Sequence, residues 1–171
     1  MADSGSTTNF FENKIAKALI FVIATALLVM LDQWTKSLAV TFLKGKESFV
    51  LIENVLELSY LENTGAAFGM MKGGRTFFLI LAPLLSIGLF IYANFFLKPD
   101  KKFIPLWICF LFITAGALGN LIDRYLYAYV VDFIYFSLID FPVFNVADIY
   151  VSCSAVLLIL LILFKYKEED F

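Results

Sequence analysis

Four long, largely apolar stretches constrain this chain more than any other feature. They are predicted as helical spans at 15–43, 76–97, 103–122 and 143–164. An α-helix rises about 1.5 Å per residue, so about 20 apolar residues cross a hydrocarbon core of about 30 Å. The whole chain is 61% hydrophobic, whereas soluble domains contain about 45–50% apolar residues. We therefore predict an all-α membrane protein with four transmembrane helices, forming a single domain over residues 1–171.

The start of the chain allows two interpretations. Residues 1–13 are polar and small, which predicts a short disordered tail before the first span. A cleaved signal peptide is the alternative, because small residues occur at 24–26 and 37–39. The first triplet falls inside the apolar run, and the second follows charged residues that a cleavage region does not need. We therefore favour a retained first transmembrane helix.

The lysines predict the orientation of the spans. An even number of spans places both termini on one side of the membrane. Seven basic residues lie on the tails and the short connection of that side: Lys14, Lys17, Lys98, Lys101, Lys102, Lys165 and Lys167. Five lie on the two longer loops of the other side: Lys44, Lys46, Lys72, Arg75 and Arg124. Because positive residues favour the cytoplasmic side, we expect cytoplasmic termini and outward-facing long loops.

The two outer loops carry strand patterns. Residues 49–59 are rich in aliphatic side chains, with a possible turn near Glu53 and Asn54. In the second loop, apolar side chains recur at period two, with Asp132 on the opposite face. That series comprises Tyr125, Tyr127, Tyr129, Val131, Phe133 and Tyr135. We predict a small extracytoplasmic β-sheet, or cradle, resting on the membrane; an aromatic belt without a sheet is the alternative.

Several classes of chemistry are excluded by composition. The chain has no histidine, which removes Ser-His and Cys-His nucleophiles and the two-histidine zinc helix. Lys36 and Ser37 are consecutive and point about 100° apart on a helix, which argues against a Ser-Lys pair. Cys109 and Cys153 lie in apolar runs and are interpreted as small buried hydrophobes. We expect no metal, no cofactor and, without a basic stripe, no nucleic acid.

Two aspartates have near-apolar neighbours. Asp132 lies in VVDFI and Asp148 in FNVADIYV, settings in which an isolated carboxylate is costly. Two carboxyls a few ångströms apart share one proton, which is what an aspartic protease needs to activate water. Asp148 lies near the start of the last span, where the helix dipole favours its charged form. The alternative is a small proton-coupled transporter component in which Asp32, Lys36 and Asp148 relay protons.

Other polar residues near the spans have simpler interpretations. Asp32 and Lys36 are four apart on one helix face, which predicts an ion pair. Asp123 and Arg124 most simply form interfacial ion pairs, although the planar fork of Arg124 suits a substrate carbonyl or a lipid headgroup. Asn63 is interpreted first as the cap of a short helix and second as a hydrogen-bonding partner for an extended peptide.

Five motifs together resemble a known family, the lipoprotein signal peptidases, or type II signal peptidases, of bacteria. The resemblance extends from Asp32 to about Ser152. It rests on DQWTK (32–36), NTGAAFG (63–69), GNLIDR (119–124), VVDFI (130–134) and FNVAD (144–148). Asp140 fits none of these motifs and is interpreted as a solvated loop acid. Each motif is weak alone, but five in order on a four-span chain are specific.

The resemblance implies a role for each matching residue. The catalytic dyad would be Asp132 and Asp148, at the outer face of the bacterial cytoplasmic membrane. The residues implied to hold the substrate or the catalytic carboxyls are Asn63, Asn120, Arg124 and Asn145. The residues implied to support the site are Asp32, Lys36, Gly65 and Asp123.

The resemblance also implies the partners. The substrate would be a prolipoprotein whose cysteine carries a diacylglyceryl group, cleaved just before that cysteine within a shell of membrane lipids. The peptide globomycin would be an inhibitor. The family's four helices and small sheet agree with the fold predicted from the patterns above.

Overall fold

The computed structural model describes residues 13–65 and 75–170. These residues form four α-helices and three strands. In order they are α1 (Lys14–Leu43), β1 (Phe49–Ile52), β2 (Leu56–Asn63), α2 (Arg75–Ile91), α3 (Ile104–Tyr127), β3 (Val130–Tyr135) and α4 (Val146–Phe164). A π-helical turn at Tyr92–Phe96 extends α2, and short 3-10 turns lie at Lys101–Phe103, Ser137–Ile139 and Glu168–Asp170. The predicted tail, 1–13, lies outside the described residues except for Asn13, whose side chain caps α1.

All four predicted spans are helices, each long and apolar enough to cross a membrane. Two boundaries differ from the prediction by three residues or more. The third helix continues to Tyr127 rather than ending at residue 122, because its polar residues are satisfied by protein partners and do not mark the end of the helix. The fourth begins at Val146 rather than at 143, because Asn145 adopts extended backbone and caps it.

The predicted sheet is present, so the alternative of an aromatic belt alone is wrong. Three antiparallel strands are arranged in the order β1-β2-β3. The predicted turn joins β1 to β2, with Asn54 at a φ of 57°, a backbone conformation that asparagine tolerates. In β2 and β3, Leu61 is paired with Asp132 and Asn63 with Val130. The pairing therefore brings the end of β2 beside Asp132.

The strand predicted to start at Tyr125 starts later. Tyr125 and Tyr127 belong to the last turns of α3, and β3 begins at Val130. Ala128, with a φ of 67°, ends the helix in the left-handed conformation. The period-two pattern therefore does not indicate a strand before residue 130. Tyr125 and Tyr127 match the pattern by coincidence, because both lie on the exposed surface of the helix.

The core of the described residues has two parts. At the end of the bundle that carries the sheet, hereafter the sheet end, Ala39 and Leu43 of α1 pack against Val131 and Phe133 of β3. At the opposite end a larger aromatic cluster joins α1, α2 and α3, where the rings of Phe21 and Trp107 meet edge to face at 5.4 Å.

The two cysteines differ in exposure. Cys109 of α3 is fully buried, as predicted. Cys153 of α4 is exposed, so its predicted burial is wrong. The difference follows from position, because α3 is packed between the other helices whereas α4 presents one face to a cavity lined in part by Cys153. An apolar run does not distinguish a core face from a cavity or lipid face.

Candidate active site

The first acid of the site, Asp132, is placed by the sheet. Its side chain is 1% exposed. The carboxylate accepts a hydrogen bond at each oxygen, from Asn145 Nδ2 to Oδ1 at 2.6 Å and from Asn63 Nδ2 to Oδ2 at 2.8 Å. Both donors are neutral amides, and no cation within residues 13–65 and 75–170 forms an ion pair with Asp132.

The second acid, Asp148, is placed by the start of α4. It occupies the third helical position, where Asn145 Oδ1 accepts from the backbone N–H of Asp148 at 3.0 Å. In return Asp148 Oδ2 accepts from the backbone N–H of Asn145 at 3.1 Å, completing a capping box. Its other oxygen, Oδ1, accepts from Asn120 Nδ2 at 2.8 Å. The carboxylate therefore also lies where the helix dipole favours negative charge.

Asn145 links the two acids. Its side-chain amide donates to Asp132 while its backbone N–H donates to Asp148. The same amide nitrogen lies 3.1 Å from Asn120 Oδ1. One residue is thus within hydrogen-bonding distance of both carboxyls, which brings together two acids that lie on separate elements.

The environment raises the pKa of Asp132 to about 7. Burial is the main cause, because a desolvated carboxylate is disfavoured, and the negative charge of Asp148 acts in the same direction. The hydrogen bonds from Asn63 and Asn145 and the charge of Lys36 oppose the shift without cancelling it. Near neutral pH, Asp132 therefore holds a proton for part of the time and is suited to act as an acid.

A second group of buried charges lies behind the first. Lys36 Nζ is 2.9 Å from Asp32 Oδ2, confirming the predicted ion pair, and 3.1 Å from Asp123 Oδ2. Asp32 Oδ1 accepts from the backbone N–H of Ala147 in α4, and Asp123 Oδ2 from that of Val131 in β3. These three side chains tie α1, α3, α4 and the sheet together.

The predicted pairing of Asp123 with Arg124 is wrong. Consecutive helical residues point in different directions, so Asp123 turns inward to Lys36 while Arg124 turns toward the cavity described below. Arg124 donates to Gly65 O at 3.0 Å and to Asn120 O at 3.3 Å. Its guanidinium lies 4.4 Å from the centre of the Phe78 ring, a cation–π contact that fixes the plane of the fork.

The preferred interpretation of Asn63 as a helix cap is also wrong. Asn63 ends β2, and its Oδ1 accepts from the backbone N–H of Gly65 at 2.9 Å. That local turn leaves the amide nitrogen pointing at Asp132. The pairing of β2 with β3 decides this role, which is why the local sequence did not reveal it. Residues 66–69 of the same motif lie outside the described residues.

One residue of the group was missed by the sequence interpretation. Gln33 Nε2 donates to Asp123 Oδ1 at 2.8 Å, to Gly119 O at 3.1 Å and to Asp32 Oδ2 at 3.3 Å. Its position inside the DQWTK motif was the available signal. Asp140, by contrast, is exposed as predicted and accepts a hydrogen bond from the Tyr135 hydroxyl at 2.6 Å.

Both acids face a cavity of about 670 Å³ between α2, α3, α4 and the sheet. Polar groups lie at its sheet end and apolar side chains line the rest. The charged and amide lining residues are Asn63, Asn120, Arg124, Asp132 and Asp148; apolar ones include Phe78, Leu81, Leu85, Leu121, Val143 and Ile149. This shape suits an elongated apolar ligand with a polar segment beside the two carboxyls.

Comparison with known families gives a consistent result. A family model described as signal peptidase (SPase) II matches residues 7–164. The lipoprotein signal peptidase of Clostridium tetani is 41% identical over 152 residues, which is 87% of this chain and 96% of the relative. That of Streptococcus pyogenes serotype M5 is 36% identical over 157 residues, covering 91% and 98%.

Solved structures are similar as well. The chain superposes on a bacterial membrane enzyme determined by the in meso method at 2.3 Å resolution with a TM-score of 0.77 and 32% identity. The match covers 88% of this chain and 93% of that one. A second such structure, at 1.9 Å resolution, gives a TM-score of 0.74 at the same identity, over 85% and 94% of the two chains.

Proposed function

Because the chain belongs to the signal peptidase II family, whose members are membrane proteases that remove signal peptides from lipoproteins, we propose that it cleaves with an aspartic dyad formed by Asp132 and Asp148. The observation that carries this proposal is the shared donor Asn145, which is hydrogen-bonded to both carboxyls at the polar end of the cavity. The family argues against the transporter alternative, as does the position of Asp32, Asp123, Asp132 and Asp148 at one end of the bundle.

The proposed reaction uses one water held between the acids. Asp148, stabilised as an anion by the start of α4, takes a proton from the water as its oxygen attacks the scissile carbonyl carbon. Protonated Asp132 donates to the carbonyl oxygen, giving a tetrahedral intermediate. The carbon–nitrogen bond then breaks as the leaving amine takes the proton from Asp148. As the carbonyl forms again, a hydroxyl of the intermediate returns a proton to Asp132. No covalent enzyme intermediate forms.

The substrate would be a prolipoprotein whose cysteine carries diacylglycerol, cut just before that cysteine. The apolar lining of the cavity offers a place for the lipid or the signal helix, and an anchored lipid fixes the depth of the peptide in the membrane. Extended backbone at that depth needs protein partners. Asn63, Asn120 and Arg124 line the cavity beside the acids and would serve as those partners. Asn145 is fully buried outside the lining and would hold the catalytic carboxyls instead. Globomycin, as a peptide, would compete for the same cavity.

The distribution of the lysines supports an orientation in the membrane. The end opposite the sheet carries Lys14, Lys98, Lys102 and Lys167, close to the chain's tails. By the positive-inside tendency this end would be cytoplasmic and the sheet end would lie at the outer face of the bacterial inner membrane. The dyad would then meet substrates after their cysteine has been lipidated.

A cleavage assay on a diacylglyceryl prolipoprotein tests the proposal. We expect Asp132→Asn and Asp148→Asn each to lower turnover by about 10²-fold or more, because general acid–base groups contribute about 10²–10⁴-fold. Asp140→Asn is the matched control: it makes the same chemical change at an exposed acid between the two in the chain, and should retain turnover. The unlipidated substrate should be cleaved poorly by the unchanged protein. Near-normal turnover in both dyad variants would refute the mechanism.

A further inference from the structure

Lys36 occupies an unusual place for a lysine beside an active site. Its side chain is only 3% exposed, and it is not among the residues that line the cavity. A substrate in the cavity therefore does not touch it. Besides its two ion pairs, however, Lys36 Nζ donates a third hydrogen bond, to Asn120 Oδ1 at 2.9 Å. This bond connects Lys36 to Asn120, whose amide nitrogen donates to Asp148 of the dyad.

The third bond fixes the orientation of the Asn120 amide. Asn120 Oδ1 accepts from Lys36 Nζ and also from Asn145 Nδ2 at 3.1 Å. A reversed amide would present its NH₂ group to an ammonium and to a second NH₂ group, placing donors against donors. With the oxygen held this way, the amide nitrogen of Asn120 faces Asp148 Oδ1 at 2.8 Å.

The same constraint passes to the second amide. Asn145 Nδ2 faces Asn120 Oδ1 and Asp132 Oδ1, while Asn145 Oδ1 accepts from the backbone N–H of Asp148. Each contact agrees with one orientation only. Lys36 is thus connected to Asp148 through the Asn120 amide. Lys36 and the Asn145 amide both donate to Asn120 Oδ1, and the same Asn145 amide also donates to Asp132.

We propose that Lys36 is a positioning residue that fixes the orientation of the Asn120 amide, so that Asn120 donates to Asp148 and offers its oxygen to the Asn145 amide that donates to Asp132. The proposal deepens the function proposed above and rests on Asp132 and Asp148 being its dyad. It differs from a purely structural role, in which Lys36 only neutralises Asp32 and Asp123. The structural role predicts effects on folding alone.

The charges around Asp132 make the consequence testable. Lys36 faces it from α1, Arg124 from α3 and Asp148 from α4, while β2 contributes the neutral Asn63. Replacing Lys36 leaves the other charged groups in place. The cation and the amides it orients both favour the charged form of Asp132, so the loss of Lys36 should raise the pKa of this carboxyl above its present value of about 7.

The experiment compares Lys36→Met with Lys17→Met. Lys17 lies on the same helix, is 1% exposed, and is separated from Lys36 by roughly 28 Å at 1.5 Å per residue. The titration of Asp132 is followed in the full-length protein by the infrared band of its protonated carboxyl, identified by its loss in Asp132→Asn. We expect Lys36→Met to move this titration upward, and Lys17→Met to leave it unchanged.

Cleavage of the diacylglyceryl prolipoprotein across pH is the second readout. The fall in turnover on the alkaline side should move upward together with the carboxyl titration. A titration that moves while the cleavage profile stays fixed would refute the proposed dyad but leave the positioning role standing. An unchanged titration in folded Lys36→Met would overturn the positioning role.

A second variant guards against misfolding. Asp32→Asn combined with Lys36→Met removes one buried anion with the cation, so the net charge of the group equals that of the unchanged protein. We expect the titration of Asp132 to rise here too, because the amides lose their anchor. An unchanged titration in this variant, or failure of both variants to fold, would assign Lys36 to folding alone and overturn the proposal.

Discussion

Two pairs of acids lie within the same end of this bundle and differ in their partners. Asp32 and Asp123 contact Lys36 at 2.9 and 3.1 Å and accept backbone hydrogen bonds from α4 and β3. Asp132 and Asp148 accept hydrogen bonds only from neutral groups within the described residues, and both line the cavity. Three of the four acids are at most 1% exposed.

The comparison shows that burial alone does not assign a role to an acid. A buried carboxylate beside a cation stays charged and holds elements together, and removing either partner is costly. A buried carboxyl beside a second acid and neutral donors keeps a proton and can exchange it. We therefore expect changes to the first pair to act on folding and changes to the second to act on the reaction.

The largest effect on stability should come from breaking the first pair. Asp123→Ala leaves Lys36 with one ion-pair partner, Asp32, and the N–H of Val131 without its acceptor. We therefore expect it to lower the free energy of unfolding by about 3–5 kcal/mol. Asp132→Ala should cost far less, because it relieves repulsion with Asp148. Unfolding in detergent measures both. Equal losses of unfolding free energy in the two variants would contradict the different roles assigned to the two pairs of acids.

Stability should also depend on pH through Asp132. Its pKa in the folded protein, about 7, exceeds that of an unfolded aspartate, so the folded state binds the proton more tightly. The stabilisation is complete below about pH 4 and is lost as pH rises through about 7, with a total of at most about 4 kcal/mol. Melting temperatures across this range should fall for the unchanged protein. Asp132→Asn should flatten the curve, and an equally steep curve in that variant would place the titrating group elsewhere.

A smaller effect is expected from the glycine that makes room for Asp32. A Cβ at Gly119 would lie 2.6 Å from Asp32 Oδ2, whereas one at Gly88 would meet nothing within 4 Å. Gly119→Ala should therefore cost about 1–3 kcal/mol through overpacking. Gly88→Ala, on the same kind of helix, should be neutral or slightly stabilising. The two thermal unfolding curves decide the matter, and a harmless Gly119→Ala would mean that the first pair tolerates displacement.

The smallest effect is expected from the exposed ion pair of Lys44 and Glu62. Their charged atoms are 2.8 Å apart, but both side chains are about half exposed. Exposed pairs contribute little because water screens them, so Lys44→Met should leave the melting temperature almost unchanged. A loss as large as that of Lys36→Met would show that burial does not explain the importance of Lys36.

The sequence predicted the parts of the fold that local patterns determine. Hydropathy located the four helices, and Asn54 marked the turn between β1 and β2 because asparagine tolerates a positive φ. The place of Asp148 near the start of α4 followed from the length of the last apolar run. Each of these features depends on residues close together in the chain.

The partners within the site could not be predicted in the same way. Asn63 turned to Asp132 because β2 pairs with β3, and Asp123 turned to Lys36 because α3 packs on α1. Both contacts join residues far apart in the chain, and the local sequence suggested a cap and a neighbouring arginine instead. The family resemblance named the residues of the site but did not predict which of them contact each other.

The most direct test of the account is turnover per folded molecule, measured side by side for Asp132→Asn and Asp123→Asn on a lipidated prolipoprotein. The folded fraction comes from unfolding curves of the same preparations. We expect Asp132→Asn to fold well and to lose about 10²-fold or more of its turnover, and Asp123→Asn to lose folded protein while each folded molecule retains most of its turnover. Substantial turnover by folded Asp132→Asn would contradict the account.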